Sequence, residues 1–263
     1  MVTREIMGKI IAIANQKGGV GKTTTTANLG ASLGQLGKNV LLVDFDPQGN
    51  LTTGFLGSAK TIIQKDVTDA LTKQVPVKNT IIKTKFENVS ILPAASNRLA
   101  TIETEYANVE GRELLLKDIL DQVKDTYDFI FIDCPPSLGM LSIQAFTSSD
   151  TVLITLQSEF YALEGLSQLL NTIDQVRRRS NPQLGIEGVL ITMYDARTLL
   201  GAQVIGDVRN YFYNKVYDTI IPRNIGLAEA PSHQMPIYYY DSRSKGAIAY
   251  IELAKEVLQA NGN

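Results

Sequence analysis

Apolar and polar positions along the 263-residue chain fall into two alternating patterns. Short, nearly continuous runs rich in Val, Ile and Leu occupy 10–14, 40–45, 89–92, 129–132, 151–156, 188–192 and 216–221. Such runs suit strands of a parallel sheet covered on both faces. Between them, apolar residues recur at helical spacing over 24–36, 112–124, 138–148, 162–179, 201–213 and 244–260. This alternation predicts an α/β fold: one doubly wound, mostly parallel sheet flanked by helices. Neither a repeat nor a low-complexity linker breaks it, so residues 8–263 are expected to form a single domain. Met7-Gly8-Lys9 reads as an alternative start, which makes 1–7 a flexible N-terminal extension. Periodicity is weakest over 55–85.

Between the first predicted strand and the first predicted helix, residues 17–24 read Lys-Gly-Gly-Val-Gly-Lys-Thr-Thr. Strand, glycine loop, lysine, hydroxyl residue and helix form the layout of a phosphate-binding P-loop. Gly18, Gly19 and Gly21, with Val20 among them, let backbone N–H groups turn around an anion. The helix that follows presents its positive end to the same anion. In this layout Lys22 reaches the β- and γ-phosphates, Thr23 ligates Mg²⁺ and Thr24 completes the loop. ATP and Mg²⁺ are therefore the expected cofactors. A plain glycine-rich turn with two surface lysines would not need this strand and helix around it.

Carboxylates follow at strand ends. Val40-Leu-Leu-Val-Asp44-Phe-Asp46-Pro47-Gln-Gly49-Asn50 is an apolar run that leaves the sheet with two acids. Open α/β sheets bind ligands at that carboxyl edge. Taken alone, Asp44 and Asp46 fit equally well a pair capping a turn; the P-loop upstream favours the site. Asp133 likewise ends an apolar strand, ahead of Cys134-Pro-Pro-Ser137, while Asp128 at its start reads as solvated.

The P-loop departs from the ordinary pattern in one place. Gln16 stands where the first glycine belongs, and Lys17 follows it. This resembles the deviant P-loop of the ParA/MinD superfamily, and the segment from Asp44 to Asn50 resembles that group's Asp-x-Asp-Pro-Gln-Gly-Asn motif. Residues 157–165, 192–198 and 221–232 extend the resemblance over nearly the whole chain. It is strongest to ParA/Soj-type chromosome or plasmid partition ATPases of the branch without an N-terminal helix-turn-helix, for which the short tail leaves no room. The resemblance implies that Lys17 crosses a dimer interface to the partner's phosphates, and that Lys17, Lys22 and Asp46 are catalytic. It implies that Asp46 positions or activates the attacking water and that Asp44 supports the metal site. Asp133 resembles a Walker B aspartate, which holds Mg²⁺ directly or through water. Glu159 would meet the partner's nucleotide or Lys17, and Met193 would lie next to the base. Pro222, Arg223 and Asn224 would form the adenine loop, with Pro222 and Asn224 touching the base.

The same resemblance implies a Mg²⁺-dependent ATP hydrolase, weak alone. ATP would drive a sandwich homodimer that binds double-stranded DNA without sequence preference. A ParB-like centromere-binding protein would stimulate hydrolysis and release. Two alternatives share the ATPase: a nucleotide-switched regulator of replication initiation, and a positioning ATPase for a non-DNA cargo.

Composition narrows these readings. The net charge is -2, so DNA contact requires a local patch. Its candidates are Arg197, Arg209, Lys215, Arg223, Arg243 and Lys245. Arg177-Arg178-Arg179 ends a helix, where the dipole alone accounts for cations as well as DNA does. Gly226 stands where relatives often carry a basic residue. The lone Cys134 excludes a disulfide framework and a thiolate-rich metal or iron–sulfur site. No apolar run reaches membrane-spanning length, no secretory signal is visible, and 251–260 lacks the basic face of a membrane-attaching helix. The expectation is a cytoplasmic, nucleoid-associated protein. Tyr238-Tyr239-Tyr240 reads as a packing segment.

Overall fold

A computed structural model describes residues 8–95, 98–159, 164–197 and 199–262; the expected extension at 1–7 lies outside them. The apolar runs form strands β1 (Lys9–Ala14), β2 (Val40–Asp44), β4 (Val89–Leu92), β5 (Phe129–Asp133), β6 (Thr151–Gln157) and β7 (Gly185–Thr192). A two-residue strand β3 (Ile82–Lys83) adds an edge. The sheet order is β3-β4-β2-β5-β1-β6-β7, and every pairing is parallel except β3 with β4.

Successive side chains of β1 point to opposite faces, as strand geometry requires. Ile10, Ala12 and Ala14 join one apolar core, and Ile11 and Ile13 join the other. The second core is closed by α1 (Lys22–Gln35) and α11 (Lys245–Ala260), which pack on each other. α11 buries Ala247, Tyr250, Leu253, Ala254 and Val257, so it is a core-packed helix. Helices α4 (Leu99–Glu105), α6 (Met140–Ser148), α7 (Glu164–Arg179) and α8 (Leu199–Phe212) contribute to the first core. Among the described residues no helix is long and apolar enough to cross a membrane.

Three expectations are corrected. Residues 216–221 run beside β7 but form only isolated bridges, Val189 with Val216 and Tyr194 with Pro222. The reason lies in α11: the Glu256 carboxylate accepts from Asp218 N at 2.7 Å and Thr219 N at 3.1 Å. Tyr217 N and Ile221 N still reach Val189 O and Ile191 O, but Thr219 N, which a regular ladder would aim at β7 between them, is turned away. Residues 112–124 are not one helix but a 3₁₀ turn at Arg112–Leu114 and a short α5 (Leu115–Leu120). The Gln122 side chain donates to the Asp118 carbonyl at 2.9 Å, and the Gln122 amide bonds instead to Ile119. The helix therefore tightens and stops. Asp128 is not simply solvated, because its carboxylate accepts from Asn39 N at 2.8 Å.

The weakly periodic stretch over 55–85 holds small pieces. These are the end of α2 (Asn50–Leu56), a 3₁₀ turn at Gly57–Ile62, α3 (Val67–Leu71) and β3. α3 is secured by a capping box between Asp66 and Asp69. The tyrosine run lies on the one-turn helix α10 (Ile237–Tyr240) and serves packing, as expected: Tyr239 packs tilted against Phe86, and Tyr240 stacks on His233.

Candidate nucleotide-binding site

The central strands β1, β2 and β5 lie side by side, and their carboxyl ends bring the P-loop and three aspartates together. Asn15, just past β1, anchors the loop: its Nδ2 donates to Thr155 O at 2.6 Å and its Oδ1 accepts from Lys17 N at 2.9 Å. α1 then starts without a side-chain cap and without an acidic residue in its first turn. Its leading amides remain available to an anion. Lys22 is only 6 % exposed, and its Nζ donates to Lys17 O at 3.1 Å. Burial lowers its pKa, and the charges of Asp133 and Asp46 oppose that shift.

Asp44 and Asp133 stand opposite each other in the β2–β5 register, and both are fully buried. Asp44 Oδ2 accepts from Thr52 N at 2.7 Å and Thr52 Oγ1 at 2.6 Å. Asp133 Oδ1 accepts from Thr26 Oγ1 at 3.4 Å, and Thr23 also favours its ionised form. The other oxygens, Asp44 Oδ1 and Asp133 Oδ2, have no hydrogen-bond partner among the described residues. Burial pushes the Asp44 carboxyl up to about 7, and burial followed by the Asp44 charge pushes Asp133 well above the usual range. Two adjacent buried carboxylates with orphaned oxygens fit a divalent cation, which would hold both ionised. Among the described residues no group of three or more His, Cys, Asp or Glu builds an all-protein metal cage. Mg²⁺ takes few protein ligands and shares the rest with phosphate and water, so two carboxylates and a hydroxyl can serve it.

Asp46 is 7 % exposed; its Oδ1 accepts from Gln48 N at 3.0 Å, and its carbonyl accepts from Gly49 N at 2.8 Å. Gly18, Gly19, Lys22, Thr23, Asp46 and Gln48 line one cavity of about 390 Å³. A second cavity of about 210 Å³ shares Gly21, Thr24 and Met193 with it and is lined by Pro222, Arg223, Asn224 and Tyr250. Arg223 N donates to Tyr194 O at 3.0 Å, which ties segments 192–198 and 221–232 together. Asn224 caps α9 (Ile225–Glu229) through its side chain. Met193 has a left-handed φ of 51°, and its Sδ accepts from Gln157 Nε2 at 2.7 Å. The cavity at the P-loop thus adjoins a smaller, mostly apolar one through shared lining residues.

A family model described as an AAA domain matches residues 8–186. The chain is 57% identical over 256 residues to the sporulation initiation inhibitor protein Soj of Bacillus subtilis (strain 168), covering 97% of this chain and 100% of that protein. It is 46% identical over 252 residues to the chromosome partitioning protein ParA of Caulobacter vibrioides (strain NA1000 / CB15N), covering 95% and 94%. The chain belongs to the ParA/Soj family of ATPases. Among solved structures, cobyrinic acid a,c-diamide synthase from Mycobacterium smegmatis with bound ATP analogue and magnesium matches with a TM-score of 0.85 at 38% identity, covering 97% of this chain and 96% of that one.

Within this ParA/Soj chain the remaining candidates are dispersed. Lys17 Nζ pairs with Glu159 Oε2 of the same chain at 2.7 Å, both side chains being about half exposed. Residues 160–163 and Thr198, which belong to the resembling segments, lie outside the described residues. Arg197 is 88% exposed and is held in a two-pronged pair by Asp195, at 2.8 and 2.6 Å. Arg209, Lys215, Arg223, Arg243 and Lys245 are exposed, and Arg209 lies 4.0 Å from Asp218. Arg177 is committed to Leu184 O at 2.6 Å and Asp174 at 3.1 Å, which gives it a structural task.

Sequence reasoning passed over Thr26 and Thr52, which support Asp133 and Asp44, and Tyr250, which lines the second cavity. Thr26 carried a signal, since it follows Thr23 at one-turn spacing on α1. Thr52 lies eight positions past Asp44, beyond the strand's own pattern, and Tyr250 reaches the site across the fold.

Proposed function

We propose that the chain is an ATP-dependent DNA partition ATPase. The observation that carries this reading is the buried Lys22 facing Asp133 and Asp46 beneath the P-loop, in a chain that matches Soj and ParA over nearly its full length. Thr23 and Asp133, with Asp44 behind them, would hold Mg²⁺, which when bound supplies charge neutralisation to the phosphates. Lys22 binds the β- and γ-phosphates, and its desolvated ammonium interacts with them strongly. Asp46 orients the attacking water. Met193, Pro222 and Asn224 hold the base. Lys17 leaves Glu159 to reach the phosphates of a second copy, so ATP binding is read out as a homodimer. The dimer binds DNA non-specifically through paired basic patches, and a ParB-like partner stimulates hydrolysis and release. Transport of this kind needs differential affinity: only the ATP state may hold DNA well.

The test is binding of the full chain to two unrelated duplexes, with ATP and with ADP, across a salt series. Tight, sequence-independent, salt-sensitive binding in ATP alone is the expected result. Equal binding in ADP, or preference for one duplex, contradicts the reading. A regulatory role is the second reading, favoured by the name of the Bacillus relative, an inhibitor of sporulation initiation. It uses the same ATP-gated dimer, and it predicts altered developmental or replication timing rather than DNA loss when the chain is deleted.

A further inference from the structure

Lys60 lies on the 3₁₀ turn at Gly57–Ile62, next to α2. Among the described residues its ammonium is held by oxygens of the neighbouring loop and helix rather than by a carboxylate. Nζ donates to Gln48 O at 3.3 Å, to Gly49 O at 3.2 Å and to Thr53 Oγ1 at 3.4 Å. The first two acceptors belong to the turn that follows Asp46. We propose that Lys60 is a positioning residue for ATP hydrolysis, fixing the Asp46–Gly49 turn from behind. The inference rests on the reading of Asp46 as the residue that orients water.

The geometry supports this in three ways. The Gln48 carbonyl and the Gly49 N–H share one peptide plane. Lys60 holds its oxygen, and the Asp46 carbonyl accepts from its N–H at 2.8 Å. The plane is thus pinned at both ends, and the Gln48 amide next to it donates to Asp46 Oδ1 at 3.0 Å. Second, Gly49 has a left-handed φ of 61°, and a Cβ there would meet Lys60 Nζ and Ala94 O at 2.4 Å. The ammonium therefore sits tightly on the turn. Third, Asp46, Gln48 and Asn50 line the phosphate cavity, whereas Lys60 does not. Lys60 acts through the loop and not on the nucleotide. A lysine serving only its own 3₁₀ turn would bond to that turn's carbonyls; these three acceptors of Lys60 lie on residues 48–53. Ammonium-to-carbonyl bonds are charge-assisted, and small displacements of a positioning group are costly to rate.

The test uses the full chain with Mg²⁺ and varied ATP. Lys60→Met keeps the apolar stem and removes the donor. It should lower kcat on the order of 10-fold while leaving KM and the melting temperature as in the wild type. Lys60→Arg restores charge and donors and should recover kcat to within about two-fold. Unchanged kcat in Lys60→Met overturns the inference, as does a joint rise in KM and fall in melting temperature that Lys60→Arg does not rescue. Asp46→Ala separates the two levels. If it is inactive while Lys60→Met is fully active, only the role of Lys60 fails. If Asp46→Ala hydrolyses ATP like the wild type, the reading of Asp46 fails, and the inference with it.

Discussion

A carboxylate buried beside another carboxylate keeps its proton to higher pH than one in water. Burial raises the Asp44 carboxyl from its ordinary 3.8 to about 7, so the folded chain binds more protons than the unfolded one between those values. Stability from this group is complete below the ordinary value and is lost as pH rises through about 7. Asp44→Asn keeps an acceptor for Thr52 and has no charge to lose. Without nucleotide or Mg²⁺, its melting temperature should vary less than that of the wild type from about pH 5 to about pH 8. Parallel melting curves would show that Asp44 is not the titrating group. A second residue-scale prediction concerns Asp195, whose side chain neutralises Arg197 locally. Asp195→Ala should strengthen DNA binding equally on unrelated duplexes and steepen the log–log salt slope by about one unit. An unchanged slope would place the DNA patch elsewhere, at Arg209, Lys215, Arg223, Arg243 or Lys245.

Elements owe their placement to close backbone approaches that periodicity does not report. Gly34, near the end of α1, faces Glu87: a Cβ there would come within 2.4 Å of Glu87 O and 2.8 Å of Val89 Cγ2. A carbonyl cannot swing aside as a side chain can. Gly34→Ala should therefore destabilise the fold by about 1–3 kcal/mol despite the better helix former. Chemical denaturation would check this, and equal or greater stability would show that α1 can shift. The strands were legible because β1, β2 and β5 are buried on both faces and so carry uninterrupted apolar runs. The P-loop and the acids were legible because the site is made of strand ends, where position in sequence fixes position in space. Residues 216–221 misled because the Glu256 carboxylate takes two of their amides, a contact made across 37 and 38 positions. Residues 112–124 misled because a side chain replaced a main-chain donor. The support of Asp44 by Thr52 and of the Asp46 turn by Lys60 joins neighbouring elements 7 to 12 positions apart, which neither strand nor helix periodicity encodes.

At the scale of the molecule, a chain of net charge -2 is a poor DNA ligand unless its cations are gathered in one place. In the proposed function, pairing two copies across the P-loop would gather them and would give Lys17 its phosphate contact. Nucleotide state, dimerisation and DNA affinity would then be one linked equilibrium. The measurement that addresses this most directly is the solution mass of Asp46→Ala by size-exclusion chromatography with light scattering, in Mg²⁺ with ATP or ADP, beside Lys22→Ala. The account predicts that Asp46→Ala binds ATP, hydrolyses it slowly and persists as a dimer in ATP but a monomer in ADP, while Lys22→Ala is monomeric in both. An Asp46→Ala protein that stays monomeric with normal ATP affinity, or that is dimeric whatever the nucleotide, would contradict it.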